Sequence, residues 1–126
     1  MKQPSAIIYK EESTLLAKCM EWLEPQQRDG IVVLKVRDRY AKGYSDLFIN
    51  ARGRFVVAEL KDDEGTASPH QEDFIELMTK AGASGGICRS VKDVADLIDK
   101  ALYCECFDYE KGHKYCHKCG KELLKK

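Results

Sequence analysis

The sequence predicts an α/β fold in which helices flank a mixed sheet, with the element order α-β-β-β-α-β-α. Short runs rich in β-branched and aliphatic residues, such as residues 31–36 and 55–61, are typical of buried strands. They are flanked by longer segments with apolar residues at helical spacing, such as residues 10–24. With 126 residues, the chain has room for one such domain and a small appendage.

The first helix is predicted over residues 10–24, and Pro25 is expected to end it. Its inward face is formed by Leu15, Leu16, Cys19, Met20 and Leu23. A strand follows at residues 31–36, and then a polar loop at residues 37–45.

The next two strands, residues 46–49 and 55–61, are joined by the turn residues 50–53 and should pair as a hairpin. In such a register Asp46 lies opposite Glu59 or one diagonal away. Like charges that face each other destabilise a sheet unless a cation lies between them. Two carboxylates at this spacing therefore suit a hydrated Mg²⁺ ion.

Lys61 lies two residues after Glu59, so the two side chains share one face of the strand. They could instead form a solvated sheet edge. The apolar residues on both sides of Glu59 argue against that alternative, because they indicate a strand that is buried on both faces.

The second helix begins after Ser68, the predicted N-cap, with Pro69 first and Gln71 as the capping-box residue. Gly82 is expected to end it. The helix should bury Phe74, Ile75, Met78 and Ala81. Gln71 could serve the cap alone, or it could also face the sheet and the predicted site.

A short strand, residues 85–88, precedes a last helix that Ser90 caps. The inward residues of this helix are predicted to be Val91, Val94, Ala95, Ile98 and Leu102. Cys19 and Cys88 are most simply explained as core residues.

The formal net charge is zero, but the charges are segregated. Residues 28–54 and 111–126 are basic, whereas residues 57–99 are acidic, so the folded protein can still present a basic face. No apolar stretch approaches membrane-spanning length, and the N-terminus has no secretory apolar region. A cytoplasmic location is therefore expected, where thiols stay reduced.

The composition changes at residue 103, and the tail carries cysteines in two close pairs. The four predicted ligands of a structural Zn²⁺ ion are Cys104, Cys106, Cys116 and Cys119. The second pair looks like the closing knuckle of a zinc ribbon. The first pair is one residue shorter than usual, so His113 or His117 could replace one of its cysteines.

Three segments, in this order, resemble the PD-(D/E)XK nucleases and most closely their VRR-NUC branch: residues 43–46, residues 59–61 and Gln71. The VRR-NUC signature is G-x-P-D…E-x-K…Q, and the resemblance covers roughly residues 8–100. Ser45 stands where the family usually has proline, a position that shapes the turn and is not a metal ligand.

The resemblance implies that Asp46, Glu59 and the Leu60 carbonyl would hold Mg²⁺ or Mn²⁺. Lys61 would orient the nucleophile and stabilise the developing charge. The family often adds a glutamate from the first helix.

Glu12 lies on the inward stripe of the first helix and is the first candidate for that glutamate, with Glu11 the second. A helix-start acid can also act only as a partner of the helix dipole.

The sequence thus predicts a nuclease domain over residues 1–102, with a restriction-endonuclease-like PD-(D/E)XK core, and a zinc-ribbon-like tail over residues 103–126. The expected activity is metal-dependent hydrolysis of DNA, with structured or branched DNA or nicking implied by the resemblance, along with a phage or mobile-element context. A homodimer is considered because one small domain covers few base pairs. The alternatives are a non-catalytic nucleic-acid-binding zinc module and a zinc domain that binds only protein.

Overall fold

The structure, a computed structural model, describes residues 3–36 and 46–103. Within these residues it contains a four-stranded sheet formed by β1 (Ile31–Lys35), β2 (Leu47–Ala51), β3 (Arg54–Leu60) and β4 (Ser84–Cys88). The strands lie side by side in chain order. The first two pairs are antiparallel and the β3–β4 pair is parallel, which confirms the predicted mixed sheet.

Three α-helices complete the described core: α1 (Glu12–Leu23), α2 (Pro69–Lys80) and α3 (Val91–Leu102). The predicted order of helices and strands is therefore confirmed. In the described ranges, each helix is too short or too polar to cross a membrane.

The α-helix α1 ends at Leu23, just before Pro25, as predicted, but the chain then continues as a 3₁₀-helix over Glu24–Asp29, which was not predicted. Proline is tolerated there because the first residues of a helix need no donated hydrogen bond from their own N–H groups. The segment ends at Gly30, whose φ of 85° gives the left-handed conformation that glycine adopts without strain.

The hairpin between β2 and β3 is tighter than predicted, because β2 extends two residues further, to Ala51, and leaves a turn of two residues in place of the predicted four. Its two turn residues, Arg52 and Gly53, both have positive φ, at 51° and 88°. This combination matches the twist of the flanking strands. Arg52 is held in this conformation because its side-chain Nε donates to the Asp29 carbonyl at 2.9 Å.

Alternate residues of the sheet point towards α1 and α3 and form the core with them. The buried strand residues of this cluster are Ile31, Leu47, Ile49, Ala51, Val56, Ala58, Leu60 and Cys88. Leu15, Cys19 and Leu23 of α1 pack against them. Cys19 and Cys88 are core residues, as predicted, and burial raises the pKa of both thiols, so both stay protonated near neutral pH.

One detail of the predicted core is wrong. Ala81, the C-cap residue that follows α2, is exposed, and none of the described α2 side chains is fully buried, because only one side of this helix packs against the sheet. In α3 Leu102 is half-buried and packs against the core, as predicted, and its neighbour Ala101 is fully buried as well.

Residues 37–45, with the predicted polar loop, lie outside the described residues. So does the tail from residue 104 onward, with the predicted zinc ligands, and the division into two domains after residue 102 therefore stays a prediction.

Candidate active site

Three carboxylates meet at one end of the sheet: those of Glu12, Asp46 and Glu59. Leu47 pairs with Ala58, and continuing this register by one residue places Asp46 opposite Glu59. The first turn of α1 supplies Glu12. One oxygen from each carboxylate lies within 4.8 Å of the other two, which is close enough for a single cation to contact all three.

The backbone of the neighbouring strands holds Asp46. Its Oδ2 accepts a hydrogen bond from the Leu60 N–H at 2.8 Å, and its own carbonyl accepts one from the Val36 N–H at 2.9 Å. These contacts fix the carboxylate relative to both β1 and β3. A carboxylate bound to a backbone amide is already oriented before any ligand arrives.

Glu59 is fully buried, with 0% of its surface exposed, and its two oxygens have different surroundings. Oε1 accepts a hydrogen bond from Gln71 Nε2 at 2.6 Å and lies 3.4 Å from Lys61 Nζ. Oε2 accepts no hydrogen bond from any of the residues that the structure describes. A buried oxygen without a partner is costly, so a proton would satisfy Oε2 in the metal-free protein and a cation could take the place of that proton.

Burial, followed by the charge and contact of Asp46, raises the pKa of Glu59 to about 8, although Lys61 opposes this shift. Burial and the Asp46 charge also raise the pKa of Glu12. The site therefore contains more negative charge than its lysine compensates. A divalent cation would remove that repulsion and favour the ionised form of the carboxylates.

The donor set fits a hard divalent cation. Mg²⁺ and Mn²⁺ prefer carboxylate, carbonyl and water oxygens, and Mg²⁺ is usually held by only one or two protein carboxylates. Glu12, Asp46 and Glu59 could hold such an ion. Leu60, whose carbonyl is a predicted ligand, lines the same cavity as Glu12 and Asp46.

That cavity has a volume of about 250 Å³ and opens between α1 and the ends of the strands. Lys35 and Ser13 also line it, and sequence reasoning did not assign either to the site. The sequence could have indicated Lys35, because alternate residues of a strand share one face. Lys35, the last residue of β1, therefore lies on the same face as Ile31 and Val33.

Gln71 has both of the roles that the sequence left open. Its Oε1 accepts a hydrogen bond from the Ser68 N–H at 2.9 Å, and its own N–H donates to Ser68 Oγ at 3.2 Å, which completes the capping box. Its Nε2 is thereby directed at Glu59. The start of α2 and the candidate site are therefore joined through one amide.

Of the two acids at the start of α1, Glu12 is the one that the structure brings to the cluster. Glu11 is the N-cap residue, and its side chain makes no capping hydrogen bond. Glu12 is the first residue of α1 and lies on the inward side of the helix with Leu15 and Leu16, as the spacing predicted.

A solved structure described as "VRR_NUC domain" is similar to this chain, with 29% sequence identity and a TM-score of 0.56. The match covers 69% of this chain and 92% of the other chain. No protein-family model and no curated protein matches the sequence.

Proposed function

We propose that this chain, whose described core is a VRR-NUC-type nuclease domain, hydrolyses phosphodiester bonds of DNA with the help of a divalent metal ion. The observation that carries this proposal is the meeting of three carboxylates beside Lys61, with Glu59 Oε2 lacking a donor among the described residues. Native proteins leave few buried oxygens without a partner, and a buried carboxylate with a raised pKa beside a second acid is typical of a functional site, so this cluster supports a cation-binding centre.

Each residue has a definite part in this proposal. Glu12, Asp46, Glu59 and the Leu60 carbonyl would hold the metal ion. When bound, Mg²⁺ or Mn²⁺ would supply an activated water and neutralise charge on the phosphate. Lys61 orients the attacking water and stabilises the charge that develops on the phosphate oxygens.

Gln71 acts on the geometry of the site by holding Glu59 Oε1, which leaves Oε2 for the metal ion. Because a carboxylate with both oxygens free can rotate, a fixed one loses less freedom when it binds a ligand. The cap that Gln71 shares with Ser68 fixes the amide in turn.

The substrate we propose is DNA of branched or otherwise structured form, or duplex DNA that is nicked on one strand. This step rests on the family analogy and on the basic segments of the sequence, residues 28–54 and 111–126. A second copy of the chain would extend the footprint of one small domain, so a homodimer is the proposed assembly on DNA.

A cleavage assay tests the proposed function directly. Purified protein is incubated with linear, single-stranded, flapped and four-way DNA in Mg²⁺, Mn²⁺ or EDTA, and the products are sized on denaturing gels. Cleavage is expected with either metal ion and none in EDTA. Binding of the same substrates in Ca²⁺, with no cleavage in Mg²⁺ or Mn²⁺, would favour the non-catalytic binding module instead.

The proposed zinc site concerns the tail, outside the described residues. Four thiolates in two close pairs predict about one tightly bound Zn²⁺ ion per chain, because zinc prefers a tetrahedral set of sulfur ligands. Elemental analysis of purified protein is expected to find this ion, and Cys116→Ser should lose it. Cys19→Ala is the matched control, since Cys19 lies in the core. Wild-type protein free of zinc would contradict the site.

A further inference from the structure

The chain folds back on itself immediately after Lys61. Asp62 Oδ1 accepts hydrogen bonds from the Glu64 N–H at 3.0 Å and the Gly65 N–H at 2.6 Å. One side chain thus closes a compact turn over residues 62–65. The turn returns the backbone towards the lysine that precedes it.

Gly65 lies directly against the side chain of Lys61. A Cβ atom added at Gly65 would be 3.3 Å from Lys61 Cδ and 3.5 Å from Lys61 Cβ. It would also be 3.1 Å from Asp62 Oδ1. The turn therefore packs along the aliphatic part of the Lys61 side chain. A larger residue at position 65 would push against that side chain and against Asp62.

Arg89 connects this turn to the rest of the domain through hydrogen bonds. Its guanidinium donates to the Asp62 carbonyl and, at 2.7 Å, to the Gly65 carbonyl, so it spans both ends of the turn. Its own backbone N–H donates to Asp93 Oδ2 at 2.8 Å, near the start of α3. The residue before it, Cys88, accepts the Lys61 N–H at 3.0 Å.

We propose that Arg89 and the 62–65 turn position the side chain of Lys61 for catalysis, an inference that rests on the proposed nuclease function. Lysine has four rotatable side-chain bonds, and holding its ammonium group in one place costs conformational entropy. The 3.4 Å contact with Glu59 restrains only the ammonium group at the end of the side chain. The turn also restrains the aliphatic carbons of the side chain.

Arginine suits this position because its planar fork can donate to two carbonyl oxygens at once. A lysine at position 89 would keep the charge but could not reproduce the bridge with the same geometry. Arg89→Lys should therefore retain the fold and recover only part of the positioning. Arg89 does not belong to the predicted nuclease signature, and only the fold brings it to the site.

The test compares Arg89→Ala, Arg89→Lys and Gly65→Ala with the wild-type protein. For cleavage of a linear DNA in Mg²⁺, kcat is expected to fall about 10–100-fold in Arg89→Ala, with KM little changed, since a small misplacement of a reacting group has an effect of this size. Gly65→Ala should lower kcat in the same direction. Lys92→Ala and Gly86→Ala are matched controls expected to keep wild-type rates, because Lys92 forms an exposed pair and Gly86 has space for a Cβ.

A second readout does not depend on cleavage. Labelling of lysines with acetic anhydride, quantified by mass spectrometry, measures how well the Lys61 ammonium is protected. The Lys61 side chain is 13% exposed, so its labelling is expected to be slow in the wild-type protein and faster in Arg89→Ala and Gly65→Ala. A merely structural role would leave Lys61 protected in every variant that folds.

Wild-type labelling of Lys61 and wild-type kcat in both Arg89→Ala and Gly65→Ala would overturn the positioning role and leave the nuclease proposal intact. If the wild-type protein cleaves none of the substrates, the nuclease proposal fails. The labelling then still decides whether the turn holds Lys61. If circular dichroism shows that Arg89→Ala is unfolded, Gly65→Ala and Arg89→Lys decide the outcome.

Discussion

Glu59→Gln is expected to lower the rate of DNA cleavage on the order of 10²-fold or more, while making the metal-free protein more stable at pH 8. The rate falls because the amide is a weak ligand and carries no charge to hold the metal ion. Stability rises because the replacement removes a buried charge that faces Asp46.

The sign of the pH effect follows from the raised pKa. The folded protein holds the Glu59 proton up to about pH 8, whereas the unfolded chain releases it near the ordinary value of 4.5. The stability of the metal-free protein therefore falls as pH rises through this window. The fall should be smaller in Glu59→Gln, so the two melting temperatures should diverge between pH 5 and pH 8.

Thermal unfolding followed by circular dichroism in EDTA measures this divergence, and the cleavage assay measures the rate. Added Mg²⁺ should stabilise the wild-type protein more at pH 8 than at pH 6, because binding requires the ionised carboxylate. It should have little effect on the variant. Full cleavage activity in purified Glu59→Gln would remove this residue from the proposed site.

Lys61→Ala should also reduce the cleavage rate on the order of 10²-fold or more, with most of the affinity for DNA retained. Lys61 is the cation next to Glu59, and its charge lowers the pKa of that residue. Its loss removes stabilisation of the charge that develops on the phosphate. It also makes ionisation of Glu59 harder, so the variant should need more Mg²⁺ for half-maximal activity.

Rates at saturating Mg²⁺ separate these two effects, because a defect limited to metal binding would be overcome there. Lys18→Ala is the control, since Lys18 is an exposed lysine paired with Glu21 on α1. DNA binding measured in Ca²⁺ reports whether affinity is retained. A Lys61→Ala protein that cleaves at the wild-type rate would refute its assigned role.

The elements around the site could be predicted because local patterns and tertiary packing agree there. β3 has an apolar run that is buried on both faces, and the charged pair Glu59 and Lys61 stands out against it. The pairing of β2 with β3 could be predicted from the turn residues between them, whereas the sequence left two registers open, and the structure has the one with Asp46 opposite Glu59. Ser68 could be recognised as a cap because proline and a capping-box glutamine follow it.

Other features depended on three-dimensional contacts that local patterns do not encode. The path of the chain after Pro25 depends on the packing of the 3₁₀-helix beside β1. The exposure of Ala81 depends on how little of α2 the sheet covers. The choice of Glu12 over Glu11 depends on the angle at which α1 approaches the sheet. Arg89 could not be found by spacing, because it acts on backbone carbonyls that any residue could supply.

Because Gln71 contacts both Ser68 and Glu59, few amino acids can replace it without loss of one of these contacts. The third position of a capped helix ordinarily accepts glutamate as readily as glutamine. Here a glutamate would place a further carboxylate where the amide now lies 2.6 Å from Glu59 Oε1, and it would offer no proton to donate. Asparagine is one methylene shorter and cannot reach both Ser68 and Glu59. Of these three amino acids, only glutamine both completes the cap and donates to Glu59 Oε1.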